Sequence, residues 1–288
     1  MKRGLIQRHV RWSGGLHLQY REAGRGGMPL VLLHASPRCS AMYEPWMQQL
    51  ADQFHVVAVD TPGYGGSDPL PTPPTSLADY VAPLHQLLSE VIGQPFLLYG
   101  SATGSQLAIA YALEHPAALL HLLLDNAAHF EPAEHEHIVA NYFPDLSPRD
   151  DGSHLLEAWR ISAGMLQYFP WFEQDNAHRF RADPPSADEI HATFAALLAA
   201  GSDYALAYLA AFDHERAENV QALRVPTTIF RWQGSILLKQ IDALLAKQLP
   251  PQVRSLDIPA PMVQRMAAMQ QHLLSLRDTC LNLKSTAH

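Results

Sequence analysis

A tight turn between an apolar run and a helical pattern is the feature that most constrains this chain. Residues 96–104 read FLLYGSATG, and two glycines, Gly100 and Gly104, bracket Ala102. The glycines allow the backbone to come close without a Cβ clash. This spacing is that of a nucleophile elbow, whose central residue lies on a strained strand-to-helix turn. The following helix N-terminus offers unpaired N–H groups to a developing negative charge. Here the central side chain is only a methyl group.

The rest of the chain alternates apolar strand-like runs with longer helical patterns. Strands are predicted at 16–20, 29–33, 54–59, 96–99, 119–124, 227–232 and 253–258. Helices are predicted at 42–50, 77–91, 105–113 and 237–249, with a final helix ending near residue 281. Apolar strands that alternate with helices indicate an α/β fold, with a mostly parallel sheet covered on both faces.

The pattern changes between residues 128 and 219. This stretch is helical, aromatic and rich in histidine, and prolines divide it into short helices. A strand-like residue pattern recurs only at 227–232. The sequence therefore predicts a core formed by residues 1–127 and 220–288, with a helical cap at 128–219 inserted between two strands.

Composition narrows the class of protein further. A chain of 288 residues with 48% hydrophobic residues can bury one sizeable core and a smaller unit. The net charge of −8, with scattered Lys and Arg, argues against a nucleic-acid partner. No secretory-type leader or membrane-spanning run is recognisable, which predicts a cytoplasmic protein without a membrane partner. Cys39 and Cys280 match no metal or redox spacing.

Several motifs resemble those of the α/β-hydrolase superfamily, and the similarity extends over nearly the whole chain. HASPR at 34–38 resembles the oxyanion-hole loop, DTPGYGGSD at 60–68 the turn after the fourth strand, and GSATGS at 100–105 the elbow. VPTTIF at 225–230 resembles the strand after the cap. HASPR, DTPGYG and DGSHLLEAW at 151–159 resemble a bacterial group described only as hydrolases, some of which also lack serine at the elbow.

The resemblance implies a catalytic triad in the order nucleophile, acid, histidine, but the expected residues do not occur. The acid would follow the strand at 227–232, where Gln, Gly and Ser stand at 233–235. The histidine would follow the last strand, yet 258–266 contains none. Asp125 is either an alternative acid or only a strand-end residue. A serine-to-alanine change would explain Ala102 alone, so we favour a natural departure from triad chemistry and leave an engineered change open.

Backbone groups near the elbow could still bind substrate. The resemblance implies that the N–H groups of Ser36 and Thr103 form an oxyanion hole, which needs no triad side chain. His34 either braces this loop or contributes to the site. Ser101 and Trp159 complete the predicted binding residues. The Ser101 hydroxyl, one residue before the apex, is expected to point away.

His154 is the predicted general acid or base, since an imidazole titrates near neutrality. The alternative is that His154 starts a helix capped by Asp151 or Ser153. The run HFEPAEHEH at 129–137 offers metal-ligand side chains, but its spacing fits no established site. We therefore predict no metal and no cofactor.

Three functions remain open. The favoured hypothesis is a non-hydrolytic cyclisation, elimination or isomerisation, in a lyase or cyclase acting on an apolar carbonyl-containing small molecule in a capped pocket. The alternatives are an ester or C–C hydrolase whose nucleophile has been replaced by alanine, and a ligand-binding pseudoenzyme. Losing a triad serine costs about 10⁶-fold in turnover. The roughly 10³–10⁴-fold catalysis that remains suits a reaction with a low barrier. A homodimer is left open.

Overall fold

The computed structural model describes residues 5–285, and their side chains except at 202 and 283–285. Eight strands form one sheet in the order β1-β2-β4-β3-β5-β6-β7-β8. The strands are β1 Gln7–Ser13, β2 Leu16–Ala23, β3 Met28–Leu33, β4 Phe54–Val59, β5 Phe96–Ser101, β6 Leu119–Asp125, β7 Thr227–Trp232 and β8 Val253–Ile258. β2 pairs antiparallel with both β1 and β4, and the other pairs are parallel.

Helices cover both faces of this sheet. They are α1 Glu44–Leu50, α2 Ala78–Val91, α3 Thr103–Glu114, α4 Pro132–Tyr142, α5 Ser153–Met165, α6 Ala187–Ala199, α7 Leu206–His214, α8 Ala217–Gln221, α9 Leu238–Leu245 and α10 Met262–Ser285. Every residue of β3 and β5 is buried, so both faces of these strands need a covering layer. Leu30 and Leu32 face the layer formed by α1 and α10, whereas Val31 and Leu33 face α2, α3 and α9. The predicted α/β fold class is confirmed.

The chain between β6 and β7 contains α4 to α8 and, within the described residues, contributes no strand to the sheet. Its centre is an aromatic cluster around the buried Tyr142. The rings in contact with Tyr142 are those of Phe143, Phe169, Trp171, Phe172, Tyr208 and Phe212. The Tyr64 hydroxyl, in the turn after β4, donates to the Tyr204 carbonyl at 2.6 Å and ties this segment to the sheet.

The strands predicted at 54–59, 227–232 and 253–258 coincide with β4, β7 and β8. β1 was missed, for a physical reason. Only one of its seven residues, Ser13, is buried, and Val10 and Trp12 are more than half exposed. Main-chain pairing with β2 forms this strand, so its side chains carry no hydrophobic pattern. Among the described helices, none is both long and apolar enough to cross a bilayer.

Close backbone approach fixes the turn after β5. A Cβ added to Gly104 would lie 2.2 Å from the Leu33 carbonyl oxygen and 2.7 Å from that of His34. A Cβ added to Gly100 would lie 2.2 Å from the Gly104 carbonyl oxygen. The start of α3 therefore lies directly against the end of β3. Since parallel strands end at the same sheet edge, this contact sets the turn after β5 beside the loop after β3.

Replacing Gly104 with alanine should destabilise the fold by about 3 kcal/mol, because the atoms that the new methyl group meets are backbone atoms that cannot rotate away. The measurement is the free energy of unfolding in urea. Gly26→Ala is the matched control: its φ is +86° but nothing lies within 4 Å, so it should cost only about 1 kcal/mol of backbone strain. Equal losses in the two variants would contradict the close-approach explanation.

Candidate active site

Ala102 occupies the apex of the turn in a strained conformation. Its φ is 49° and its ψ is −113°, a combination that costs a non-glycine residue on the order of 1–3 kcal/mol. Three main-chain hydrogen bonds hold it there. The Ala102 N–H donates to the Asp125 carbonyl at 2.9 Å, and the Ala102 carbonyl accepts the N–H groups of Ser105 at 2.8 Å and Gln106 at 3.2 Å. The surrounding structure thus imposes the geometry of a nucleophile elbow on a residue that carries only a methyl group.

Two backbone N–H groups lie beside this apex. Thr103 is the first residue of α3, within the turn whose N–H groups have no partner inside the helix. Ser36 lies in the loop after β3, and its N–H makes only a long bond of 3.4 Å to the Thr103 hydroxyl. Both residues line the same cavity. The structure therefore brings the two predicted oxyanion-hole residues together.

His34 supports the loop that carries Ser36. Its ring is fully buried, and Nε2 accepts the Thr61 N–H at 2.9 Å. The ring proton must then be on Nδ1, which donates to the Ala35 carbonyl at 3.1 Å. Burial lowers the pKa of His34, although nearby Asp60 opposes this, so the imidazole stays neutral. Both ring nitrogens are engaged by backbone, and His34 is absent from the cavity lining. These contacts are the ones expected if His34 braces the loop after β3.

A cavity of about 230 Å³ lies between the turn after β5 and the helical segment, that is, α4 to α8 with their connecting loops. This is smaller than the roughly 300–1,000 Å³ of ordinary small-molecule sites. Its apolar lining is Ala35, Pro37, Ala102, Phe130, Met165, Leu166, Phe169, Ala211, Phe212, Ile236 and Leu237. Its polar lining is Ser36, Arg38, Ser101, Thr103, Asn126, Tyr142, Thr193, Tyr208 and Glu215. Among the described residues that form this lining there is no histidine.

Glu215 is the one carboxylic acid in that lining. It follows α7, is 7% exposed, and its Oε1 accepts the Gln106 side-chain amide at 3.3 Å. Burial raises the pKa of Glu215 to about 8, and the bond from Gln106 lowers it in part. The Gln106 carbonyl oxygen accepts from His214 Nδ1 at 3.0 Å. Gln106 lies one turn beyond Ala102 on α3, so Glu215 is hydrogen-bonded to the helix that begins at the apex.

Asp125 lies behind the turn, outside the cavity lining. Its Oδ2 accepts from the Tyr99 hydroxyl at 2.7 Å, from the Ser101 hydroxyl at 3.2 Å and from Arg265. The Arg265 guanidinium also stacks on Trp232, 4.4 Å from the ring centre. Asp125 is 1% exposed, so this is a buried ion pair. The structure brings Asp125 and Ser101 together, but the Asp125 carboxylate pairs with a guanidinium rather than with an imidazole.

The loops after β7 and β8, where the triad acid and histidine would stand, carry other polar side chains. After β7, the Ser235 hydroxyl donates to the Asn126 side-chain oxygen at 2.6 Å, and Asn126 lines the cavity. After β8, α10 begins at Met262 and directs Arg265 to Asp125.

The structure does not bring His154 or Trp159 to the cavity lining. His154 stands in the first turn of α5, where Nδ1 accepts the Arg149 N–H at 3.0 Å. The Asp151 carboxylate accepts the Ser153 N–H at 3.0 Å, a local bond at the helix start. Trp159 packs edge-on against Phe194 with ring centres 5.6 Å apart.

One group of metal-ligand side chains comes together within the described residues. The ligand atoms of Glu173, Asp175 and His178 lie within 4.8 Å of one another. Asp175 is exposed, and His178 already contacts it through Nδ1 at 2.9 Å. This group lies beyond the 129–137 run and does not line the cavity, although His137 from that run contacts Glu173 at 2.7 Å.

Fold and site together define a protein of the α/β-hydrolase type: a mostly parallel eight-stranded sheet, a glycine-bracketed turn after β5 and two backbone N–H groups beside its apex. The family model described as alpha/beta hydrolase fold matches residues 28–260. The chain belongs to this family.

The chain is similar to several named proteins. It is 30% identical over 123 residues to an uncharacterised hydrolase of Saccharomyces cerevisiae, covering 42% of each chain. It is 30% identical over 126 residues to a proline iminopeptidase of Neisseria gonorrhoeae, covering 41% of this chain and 38% of the relative. The matches thus span less than half the length of these curated relatives.

Among solved structures, a haloalkane dehalogenase loop variant from Bradyrhizobium elkanii superposes with a TM-score of 0.68 at 18% identity, covering 99% of this chain and 100% of that one. A hydrolase from Pseudomonas aeruginosa gives the same TM-score at 21% identity, covering 94% and 98%. At these identities the likeness establishes the fold alone.

Three residues that line the cavity or contact Asp125 were not assigned a role from the sequence. Arg38 ends the quoted HASPR motif, Arg265 lies in the final helix, and Glu215 lies in the polar run DHERAEN. A polar run is typical of a solvated surface, and nothing in its spacing indicates that Glu215 is buried. The burial of Glu215 becomes apparent only from its long-range contact with α3.

Replacing Arg265 with methionine should destabilise the protein by about 3–5 kcal/mol, because it leaves the Asp125 carboxylate buried without its partner. Urea unfolding measures this loss. The double variant Asp125→Asn, Arg265→Met should recover most of it, since no buried charge is then unpaired. Strictly additive losses would contradict a buried ion pair.

The Glu215 carboxyl should make stability depend on pH. Its pKa is near 4.5 in an unfolded chain and about 8 when folded, so its contribution is complete below pH 4.5 and is lost as pH rises to about 8. The full shift corresponds to roughly 5 kcal/mol. Glu215→Gln lacks this loss, so its stability relative to the wild type should rise progressively between pH 5 and pH 8 in urea unfolding. The exposed Glu218→Gln is the control, and parallel profiles for all three proteins would refute the shifted carboxyl.

Proposed function

We propose that this protein catalyses a non-hydrolytic reaction of the isomerisation, elimination or cyclisation type on a small carbonyl compound. One observation carries the proposal. A buried carboxyl with a pKa of about 8, Glu215, and the N–H groups of Ser36 and Thr103 border the same largely apolar cavity. These are the groups that proton transfer next to a carbonyl needs: a base or acid that titrates near neutrality and donors for the developing oxyanion.

The apex residue argues against triad hydrolysis. A methyl group at Ala102 cannot attack a carbonyl carbon, and Asp125 is engaged by Arg265. The loss of a triad serine removes about 10⁶-fold in turnover, roughly 8 kcal/mol of barrier. Backbone donors alone retain about 10³–10⁴-fold. That remainder is inadequate for ester hydrolysis, whereas enolisation requires a base and oxyanion donors and no nucleophile.

The proposed step moves one proton. The Glu215 carboxylate takes a proton from the carbon beside the substrate carbonyl, and the C–H electron pair forms a carbon–carbon double bond. The carbonyl π electrons move to oxygen, where the Ser36 and Thr103 N–H groups hold the negative charge. Return of the proton to a different carbon gives isomerisation, and departure of a leaving group gives elimination. A carboxyl with a pKa of about 8 populates both protonation states near neutral pH, as both half-steps require.

The helical segment supplies the environment. Phe130, Phe169 and Phe212 line the cavity from this side and exclude water from the oxyanion. Low polarity strengthens each hydrogen bond to the developing charge. In this proposal residues 128–219 act as a cap over the turn, and the apolar part of the substrate lies against these rings.

The test is exchange of the α-hydrogens of two phenyl ketones, butyrophenone and β-benzoylpropionate, in deuterium oxide, followed by proton NMR. The wild type should accelerate exchange of at least one ketone above the buffer rate. Glu215→Gln should lower the enzymatic rate by about 10²–10⁴-fold, the usual contribution of a general base. Glu218→Gln should leave it unchanged. Absence of exchange with both ketones, or full activity in Glu215→Gln, would overturn the proposal.

Hydrolysis is the competing function, because the curated relatives are hydrolases. Ala102→Ser should show no strong turnover of p-nitrophenyl acetate, since the described residues that line the cavity include no imidazole to activate the serine. A large gain of esterase activity in this variant would favour the replaced-nucleophile hypothesis over ours.

A further inference from the structure

Arg38 is a cationic residue of the cavity lining. It ends the loop after β3, lines the cavity and is half-buried. Its backbone N–H donates to the Ala35 carbonyl at 2.9 Å, which closes the turn. Among the described residues, no hydrogen bond or ion pair engages its guanidinium.

Other partly buried arginines of this protein are paired. Arg21 bonds to the Glu44 carboxylate at 2.8 Å and to the Ser40 hydroxyl. Arg231 bonds to two carboxylates, and Arg265 bonds to Asp125. Arg38 is half-buried like several of these residues, but its guanidinium has no counter-charge among the described residues, so its donors are available to a ligand. The unpaired state of Arg38 therefore calls for an explanation.

The rest of the cavity does not neutralise this charge. Among the described residues of its lining, Glu215 is the one carboxylic acid; burial raises its pKa to about 8, and the Gln106 amide donates to one of its oxygens. The tyrosine hydroxyls of Tyr142 and Tyr208 lie 3.4 Å apart and partner one another. An apolar cavity with one uncompensated guanidinium is complementary to a ligand that is apolar over most of its surface and anionic at one end.

We propose that Arg38 binds a carboxylate of the substrate, which makes the substrate class a short oxo acid with an apolar remainder. The inference rests on the proposed function, because that function places the carbonyl oxygen at Ser36 and Thr103. Ser36 and Arg38 belong to one loop and are two residues apart, so one loop recognises both ends. The planar guanidinium fork matches the two oxygens of a carboxylate.

The experiment measures binding separately from turnover. Isothermal calorimetry at pH 7 compares β-benzoylpropionate with butyrophenone, a pair that differs only by carboxylate against methyl. The wild type should bind the carboxylate about ten- to a hundredfold more tightly, the range expected for a charge-assisted hydrogen bond. Arg38→Gln should abolish this preference, and Arg38→Lys should retain part of it because the charge remains without the fork.

Two controls keep the result specific. Arg254→Gln removes the same charge from an exposed position on β8, outside the cavity lining, and should leave the preference intact. The urea midpoint of Arg38→Gln should match the wild type, since no described partner is lost. Inorganic phosphate at millimolar concentration should not displace the carboxylate if the carboxylate class is correct, and efficient displacement would indicate a general anion site and overturn the assignment.

The two proposals fail in different ways. An equal affinity for both ketones in the wild type, or a preference that survives Arg38→Gln, overturns the role of Arg38 even if α-hydrogen exchange is observed. A preference that depends on Arg38, in a protein that exchanges neither ketone, supports the carboxylate site and overturns the proton-transfer function.

Discussion

Direct backbone contact between the start of α3 and the end of β3 is the constraint on which the site depends. It exists because Gly104 presents no side chain to the Leu33 and His34 carbonyl oxygens. The approach forces Ala102 into its left-handed conformation and sets the first N–H groups of α3 beside the loop that carries Ser36. The hydrogen bond from Ala102 to Asp125 then secures the turn to β6. A donor pair of this kind is made of main chain, so it survives whatever side chain stands at the apex.

The two buried acids near this turn have opposite environments. Asp125 is surrounded by donors and faces Arg265, so its charge is compensated behind the turn. Glu215 has one amide donor, and burial raises its pKa into the range where protons are exchanged near neutral pH. Asp125, at the end of β6, thus pairs with Arg265 behind the turn, and Glu215, from the helical segment, borders the cavity.

The fold could be predicted from the sequence because local residue patterns identify most strands of the sheet. Six-residue strand-like runs bounded by turns locate β4, β7 and β8 to the residue, and the two glycines around Ala102 locate the turn after β5. β1 escaped because its side chains are exposed and its stability comes from pairing with β2. The site was harder. Ser36 and Thr103 followed from the resemblance to the family's motifs, whereas Glu215 is buried by a contact with a residue more than a hundred positions away. His154 has a suitable side chain, yet only the three-dimensional path of α5 reveals that it bonds Arg149 instead of facing the cavity.

Gln106 connects two parts of the molecule that lie far apart in sequence. It belongs to the helix that starts at the apex, and its amide touches both His214 and Glu215 at the end of α7. Movement of that end away from α3 would break the bond to Glu215 and admit water around the carboxyl. Hydration favours the carboxylate, so the pKa would fall towards its ordinary value near 4.5 and the acid would release its proton. Contact between the end of α7 and α3 is therefore thermodynamically linked to proton uptake at Glu215, and between about pH 5 and pH 8 a lower pH favours this contact.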